Sequence, residues 1–146
     1  MHSFTYAGNP IACAGASAVL KYIVDKDLIS RSEKTGKIFL EKLKDGLGDL
    51  EIVSDIRGIG LLIGIEFSKD KERGEPFESD FNVCGKVTKY CFEHNLIVAS
   101  GISGTVDGIK GDALQLSPPF VIEEEDMDFA VATLRDAILD VINSIK

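Results

Sequence analysis

Apolar residues at helical spacing predict the first two helices of the chain. The first begins after Asn9-Pro10, because asparagine caps free amides and proline suits the first turn. Residues 12–18 are unusually small, so we expect other elements to cover most faces of this helix. The second helix runs from Leu28 to about Leu47, with charged residues between its apolar positions. It is therefore amphipathic and packs on one side.

Two more helices are predicted in the second half of the chain. Asp80 or Asn82 caps the third, and Asn95 is a plausible left-handed stop. The last begins after Pro118-Pro119, with acidic residues 123–126 at its positive end. Its buried stripe is predicted to be Met127, Ala130, Leu134, Ile138, Val141 and Ile145.

From Ile59 to Phe67 the pattern alternates with period two, which predicts one strand with a bulky face. Its opposite face is largely glycine, which indicates a helix lying tightly against the sheet there. Short strands are predicted at Leu96–Ala99 and Ala113–Leu116, and residues 69–78 form an exposed loop. Two helices followed by a strand, a helix, two strands and a helix indicate an α+β fold.

Composition narrows the possible partners. The chain has 146 residues, 45% of them hydrophobic, which is enough for one core. A net charge of −8, spread along the chain, disfavours nucleic acid and anionic membranes, and no apolar run is long enough to span a bilayer. Three cysteines without a C-x-x-C pair fit a reduced, cytoplasmic setting, with Cys84 and Cys91 facing the core.

Most motif-like stretches favour a structural interpretation. The glycines of residues 57–64 lack dinucleotide-loop spacing, so packing is the favoured role. Arg57 is either an anion ligand or, as we favour, an arginine that orders the loop around Asp55. Residues 101–112 lack the calcium-loop order, and His2 and His94 have too little support for zinc, so no metal site is predicted.

The stretch from His2 to Ala14 is the most informative. It places a hydroxyl, an aromatic ring and a glycine ahead of a capped helix N-terminus, which suits an anion such as phosphate. As a string it resembles the H-x-x-T-Y-x-G-N-P-x-A-C-A stretch of class III aminotransferases, which are fold-type I pyridoxal-phosphate enzymes. Residues 53–66 and 112–122 resemble two further motifs of that family in the same order.

The resemblance implies a cofactor contact and a homodimer. Thr5 corresponds to the threonine that reaches across the dimer interface to the cofactor phosphate of the other subunit, although a capping or packing role is the alternative. Phe4 or Tyr6 would lie beside the same pocket. Residues 1–25 would be the end of the large cofactor-binding domain and a connecting helix. Residues 26–146 would be the small C-terminal domain, an antiparallel or mixed sheet with helices on one side.

The resemblance places the cofactor-binding lysine and its aspartate partner upstream of this string, so we predict no catalytic residue here. Lys21 and Lys37 do not match the lysine segment, and the chain alone should be inert. The parent reaction would move an amino group between a small-molecule amine or amino acid and an oxo acid. No arginine lies between Arg73 and Arg135 that could bind a substrate carboxylate. The sequence therefore does not identify the amino donor or the amino acceptor. The alternative is a non-catalytic oligomerisation or ligand-binding module.

Overall fold

The computed structural model describes residue 5, residues 7–99, residue 108 and residues 110–145. Within these ranges four α-helices and three strands follow one another along the chain. A single turn of 3-10 helix precedes the third α-helix. The elements are α1 (Pro10–Asp25), α2 (Leu28–Leu47), β1 (Val53–Ile59), β2 (Leu62–Phe67), α3 (Val83–Glu93), β3 (Asp112–Leu116) and α4 (Glu124–Ile145).

The three strands form an antiparallel sheet in the order β1-β2-β3. Ile65 at its centre pairs with Ile56 on one side and Leu114 on the other, and all three are buried. Helix α2 contacts β1, α3 contacts β3, and α4 packs against both helices. The predicted α+β class, with an antiparallel sheet and helices on one side, is confirmed.

The core lies between the inner face of the sheet and these helices. Ile63, Ile65 and Phe67 point inward from β2, as their alternation predicts. They join Phe39 and Leu43 of α2 in one cluster with the inner stripe of α4. Fully burying a leucine, isoleucine or phenylalanine contributes about 1.5–3 kcal/mol. This shared burial therefore supplies most of the driving force for folding.

Two predictions about the sheet were wrong. The single strand from Ile59 to Phe67 is a hairpin, because Gly60 (φ +54°) and Leu61 form a two-residue turn between Ile59 and Leu62. Ile59 thereby falls at the end of β1, where it is 81% exposed. The element order is consequently two helices, two strands, a helix, a strand and a helix.

The glycine face of β2 also differs from expectation. No described residue lies closer than 4.0 Å to where a Cβ on Gly64 would stand, so no helix presses against it. The reason is that all three packing helices follow the apolar face. The predicted strand at Leu96–Ala99 is reduced to one bridge between Ala99 and Gln115. Ile145, the last residue of α4, was predicted in the buried stripe but is exposed.

The predicted helix ends agree better with the structure. The Asn82 side chain accepts a hydrogen bond from Gly85 N at 3.1 Å and caps α3. Asn95 takes a left-handed conformation, φ +63°, just after α3 ends. Arg135 of α4 donates to both carboxylate oxygens of Asp49, each at 2.7 Å, beyond the end of α2. This pairing lowers the pKa of Asp49 to about 2.

Asp112 provides a second cap for α3, from β3. Its side chain is buried at 4% exposure, and Oδ2 accepts a hydrogen bond from Cys84 N at 2.8 Å. Oδ1 has no partner among the described residues. Burial raises the pKa of Asp112, although the backbone amides of Cys84, Val83 and Ala113 oppose that rise. One carboxyl therefore joins the start of β3 to the first turn of α3.

The closest backbone approach in the fold is between α2 and the β1–β2 turn. A Cβ on Gly36 would lie 2.0 Å from the carbonyl oxygen of Gly60. Such a distance is impossible for real atoms, and both partners are backbone, so neither can rotate away. Glycine at position 36 is required for the hairpin to rest on α2.

We expect Gly36→Ala to lower the free energy of unfolding by about 1–3 kcal/mol or more, because the hairpin turn must move off α2. The matched control is Gly15→Ala in α1, where no residue that the structure describes stands within 4 Å of the added Cβ. There alanine should be neutral or stabilising by up to about 1 kcal/mol. Urea unfolding of both variants measures the difference. Equal changes in the free energy of unfolding at the two positions would show that the close approach of Gly36 to Gly60 does not affect stability.

Asp112→Asn and Asp112→Ala separate the carboxylate's charge from its hydrogen bond. A raised folded pKa gives a stabilising contribution that is present below the ordinary value of 3.8 and lost as the pH rises through the folded value. Asparagine does not titrate and still offers an acceptor to Cys84 N. We expect its stability relative to the wild type to improve between about pH 4 and 7.

Asp112→Ala should instead cost about 1–3 kcal/mol, because it removes the buried acceptor of the Cys84 N–H hydrogen bond. Thermal unfolding of both variants across that pH range is the measurement. A difference between Asp112→Asn and the wild type that does not change with pH would refute the role assigned to burial.

Candidate functional site

The segment ahead of α1 holds the predicted site residues. Thr5 lies in a turn and is exposed. Phe4 and Tyr6 lie outside the described residues, so their predicted places beside the pocket remain predictions. Gly8 has φ +77°, and no described residue stands within 4 Å of where its Cβ would lie, so the described part of the chain leaves that side open. This segment therefore presents the Thr5 hydroxyl and an unobstructed backbone immediately before the helix.

The first turn of α1 is already capped from within. The Asn9 side chain accepts hydrogen bonds from Ile11 N and Ala12 N, both at 3.1 Å. The Asn9 carbonyl accepts from Cys13 N at 2.9 Å, and Pro10 has no N–H. All the amide donors of this first turn are thus used inside the chain.

Because these amides are already hydrogen-bonded, the helix N-terminus does not offer the free donors that the sequence-based prediction of an anion site assumed. An anion there must be held by the Thr5 hydroxyl and by backbone N–H groups ahead of Asn9, because the helix amides are occupied. The positive end of the helix dipole still favours negative charge nearby. The sequence Asn9-Pro10 already indicated that these amides would be occupied. An asparagine that caps a helix accepts hydrogen bonds from the same amides that an anion would use.

Helix α1 was expected to be covered on most faces, but within the described chain it is exposed. None of its 16 residues is buried, although Ile11, Val19 and Leu20 are large and apolar. Its contacts within the described chain are chiefly with α2. Helices of this length are marginal in water without a packed face. The described residues alone do not enclose a pocket at its N-terminus.

The two lysines considered from the sequence lie on the surface. Lys21 pairs with Asp25 at 2.6 Å, and Lys37 pairs with Glu33 at 2.7 Å. In both pairs the side chains are largely exposed. A lysine that forms a covalent bond to a carbonyl cofactor is usually activated in a desolvated pocket. Neither position provides that environment.

The remaining candidates are structural in this fold. Arg57 donates through Nη1 to Asp55 Oδ2 and Glu66 Oε2, both at 2.6 Å, and these carboxylates raise its pKa. The guanidinium is thus paired with two carboxylates, which fits a structural role, but Asp55 and Arg57 both lie in β1, so the predicted loop around Asp55 is part of a strand. Cys84 and Cys91 are buried as predicted, and burial raises the pKa of Cys91 to about 11. A thiol with that pKa is not a nucleophile near neutral pH.

Two other features are absent from the described ranges. No group of three or more metal-binding side chains comes together there. Among the same residues, every helix is too short or too polar to cross a membrane. Thr5 and the open segment around Gly8 consequently remain the candidate site.

Comparison with known proteins gives a consistent result over nearly the whole chain. The family model for class-III aminotransferases matches residues 1–138. A leucine/methionine racemase from Thermococcus litoralis is 36% identical over 96% of this chain and 29% of its own length. An uncharacterized aminotransferase of Schizosaccharomyces pombe is also 36% identical, over 97% of this chain and 31% of its own length.

Solved structures extend the similarity to the fold. A transaminase from the marine bacterium Virgibacillus superposes with a TM-score of 0.89 at 30% identity, covering 100% of this chain and 32% of its own. A Bacillus anthracis aminotransferase gives a TM-score of 0.85 at 40% identity, covering 95% and 30%. The chain therefore spans about a third of the length of these relatives. It belongs to the class-III aminotransferase family.

Proposed function

We propose that the whole protein is a pyridoxal-phosphate-dependent aminotransferase. It moves an amino group between an amine or amino acid and an oxo acid. The observation that carries this proposal is the family match over residues 1–138, together with structural similarity to transaminases at up to 40% identity. One relative is a racemase, so racemisation of an amino acid is the second candidate.

The chain contributes the small C-terminal domain, residues 26–146, and the connecting helix within residues 1–25. The end of α1 at Asp25 and its sparse contacts with the rest of the chain support this division. The exposed apolar side chains of α1 also fit a helix that is covered in the whole protein. We assign that cover to the large domain and to the second subunit of a homodimer.

In this assembly Thr5 donates its hydroxyl to the phosphate of pyridoxal phosphate held by the partner subunit. Phe4 or Tyr6 lies beside the same pocket. The open backbone around Gly8 and the positive end of α1 favour the phosphate, although the helix amides are occupied by Asn9. When bound, the cofactor supplies the electron sink for the reaction. Residues outside this chain supply the covalent lysine.

The chain by itself should therefore be inactive, because its residues fit the phosphate end of the cofactor and provide no lysine in a desolvated pocket. We place the whole protein in the cytoplasm. Cys13, Cys84 and Cys91 form no disulfide with one another, and two of them are buried, which suits a reducing compartment.

Assays of the whole protein with a panel of amines, amino acids and oxo acids test the reaction. We expect conversion of oxo acid to amino acid that requires added pyridoxal phosphate, with no turnover by the 146-residue chain alone. Chiral chromatography of the amino acids distinguishes racemisation, which inverts the substrate without consuming oxo acid. Inversion without amino transfer would favour the racemase, and turnover by the isolated chain would contradict the role assigned to it.

Thr5→Ala in the whole protein tests the phosphate contact. Loss of a hydrogen bond to a charged acceptor costs roughly 1.5–3 kcal/mol, or about ten- to a hundred-fold weaker cofactor binding. Thr5→Ser is the matched control, because it keeps the hydroxyl and should retain most of the affinity. The cofactor dissociation constants of both variants are the measurement. Unchanged affinity with a lowered melting temperature in apo and holo forms would instead assign Thr5 a capping role.

A further inference from the structure

The first turn of α1 contains no acidic residue. By contrast, the first turn of α4 contains Glu124, Glu125 and Asp126. The difference extends along the sequence, because residues 1–24 contain no aspartate or glutamate and all 24 acidic side chains lie from Asp25 onward. In a chain with a net charge of −8, the segment that holds the candidate site is therefore free of negative side chains.

Helices α2 and α3 also begin beside a carboxylate. Asp27 immediately precedes α2, and the Asp112 carboxylate accepts a hydrogen bond from Cys84 N in the first turn of α3. Negative groups are favourable there, because a helix N-terminus carries about half a positive charge. The cap of α1 is instead the neutral amide of Asn9, which accepts two backbone N–H groups at 3.1 Å. The hydrogen bonds of this first turn are thus made, while its positive end is not neutralised.

An aspartate in place of Asn9 would cap the helix equally well. Aspartate and asparagine have nearly the same shape and are about equally favourable as N-caps. Position 9 is exposed, so a carboxylate there would stay hydrated and would need no partner. Folding therefore does not explain the neutral residue, because aspartate would add a favourable interaction with the helix dipole. A second negative charge that binds at this end of α1 does explain it.

We propose that Asn9 is a specificity-determining residue, whose neutrality keeps the positive end of α1 available to the phosphate of pyridoxal phosphate. The inference rests on the proposed function, in which Thr5 binds this phosphate. A phosphate monoester carries a charge of about −1.5 to −2 near neutral pH, so a carboxylate beside it would repel it. Asn9 acts on the phosphate by not carrying a charge, whereas Thr5 acts by donating a hydrogen bond.

The isosteric substitution Asn9→Asp in the whole protein tests this role, with Asn9→Ser as the matched control. Both variants keep a capping oxygen, and only aspartate adds a charge. The apoprotein is titrated with pyridoxal phosphate and, separately, with pyridoxal, which has the same ring and aldehyde and no phosphate. We expect Asn9→Asp to bind pyridoxal phosphate roughly ten-fold or more weakly than Asn9→Ser, because like charges repel at short range. The two variants should bind pyridoxal equally.

The stability of the apoprotein provides a readout that should not fall with the affinity. Asn9→Asp should melt at the same temperature as the wild type or higher, because its carboxylate caps α1 and interacts favourably with the helix dipole. An intact apo fold with weakened binding of pyridoxal phosphate is a result that a purely structural cap does not produce. Added salt should reduce the difference in affinity, because it screens the repulsion.

Equal affinities of Asn9→Asp and Asn9→Ser for pyridoxal phosphate would overturn the proposal. So would an equal loss of affinity for pyridoxal, because the phosphate would then not be the group that the charge affects. Binding by the wild type separates this inference from the proposed function. A wild-type protein that does not bind pyridoxal phosphate refutes the proposed function, whereas a wild type and an Asn9→Asp variant that bind it equally refute this inference alone.

Discussion

The inner face of β2 is the feature on which the rest of the fold depends. Ile63, Ile65 and Phe67 are almost completely buried, and each side chain is in the cluster that contains α2 and α4. A three-stranded sheet has only two faces, and all the apolar side chains of its centre point to one of them. The helices follow that face because burying apolar area is the dominant favourable term in folding. The glycine side of the same strand is consequently left open.

Helix α1 differs from the other helices because no residue of it is buried. Its start is defined locally, since Asn9 and Pro10 complete the first turn without help from the rest of the chain. Its apolar side chains remain exposed, because the described residues place nothing over them. A helix can thus be specified by its cap while its stability depends on packing from elsewhere. This separation agrees with a chain that spans about a third of its relatives.

The capping of α1 by Asn9 also limits which groups of the candidate site can bind an anion. A helix N-terminus is usually a ready anion site because its first amides are free. In α1 those amides are used by Asn9, so a bound anion would need other donors, for which we propose the Thr5 hydroxyl and the backbone around Gly8. The family match is the reason that we propose a phosphate partner at this place.

The sequence by itself determined the features that depend on neighbours along the chain. It predicted the cap at Asn9, a cap at Asp80 or Asn82, and the inward set of β2, because capping and side-chain alternation act over a few residues. The tertiary structure decided the rest. Ile59 continued the alternation of β2 in sequence, yet the turn at Gly60 placed it on β1 and left it exposed. Gly36 and Gly15 are both helical glycines, and only Gly36 meets another backbone. That distinction depends on the distance between two elements, which no local pattern records.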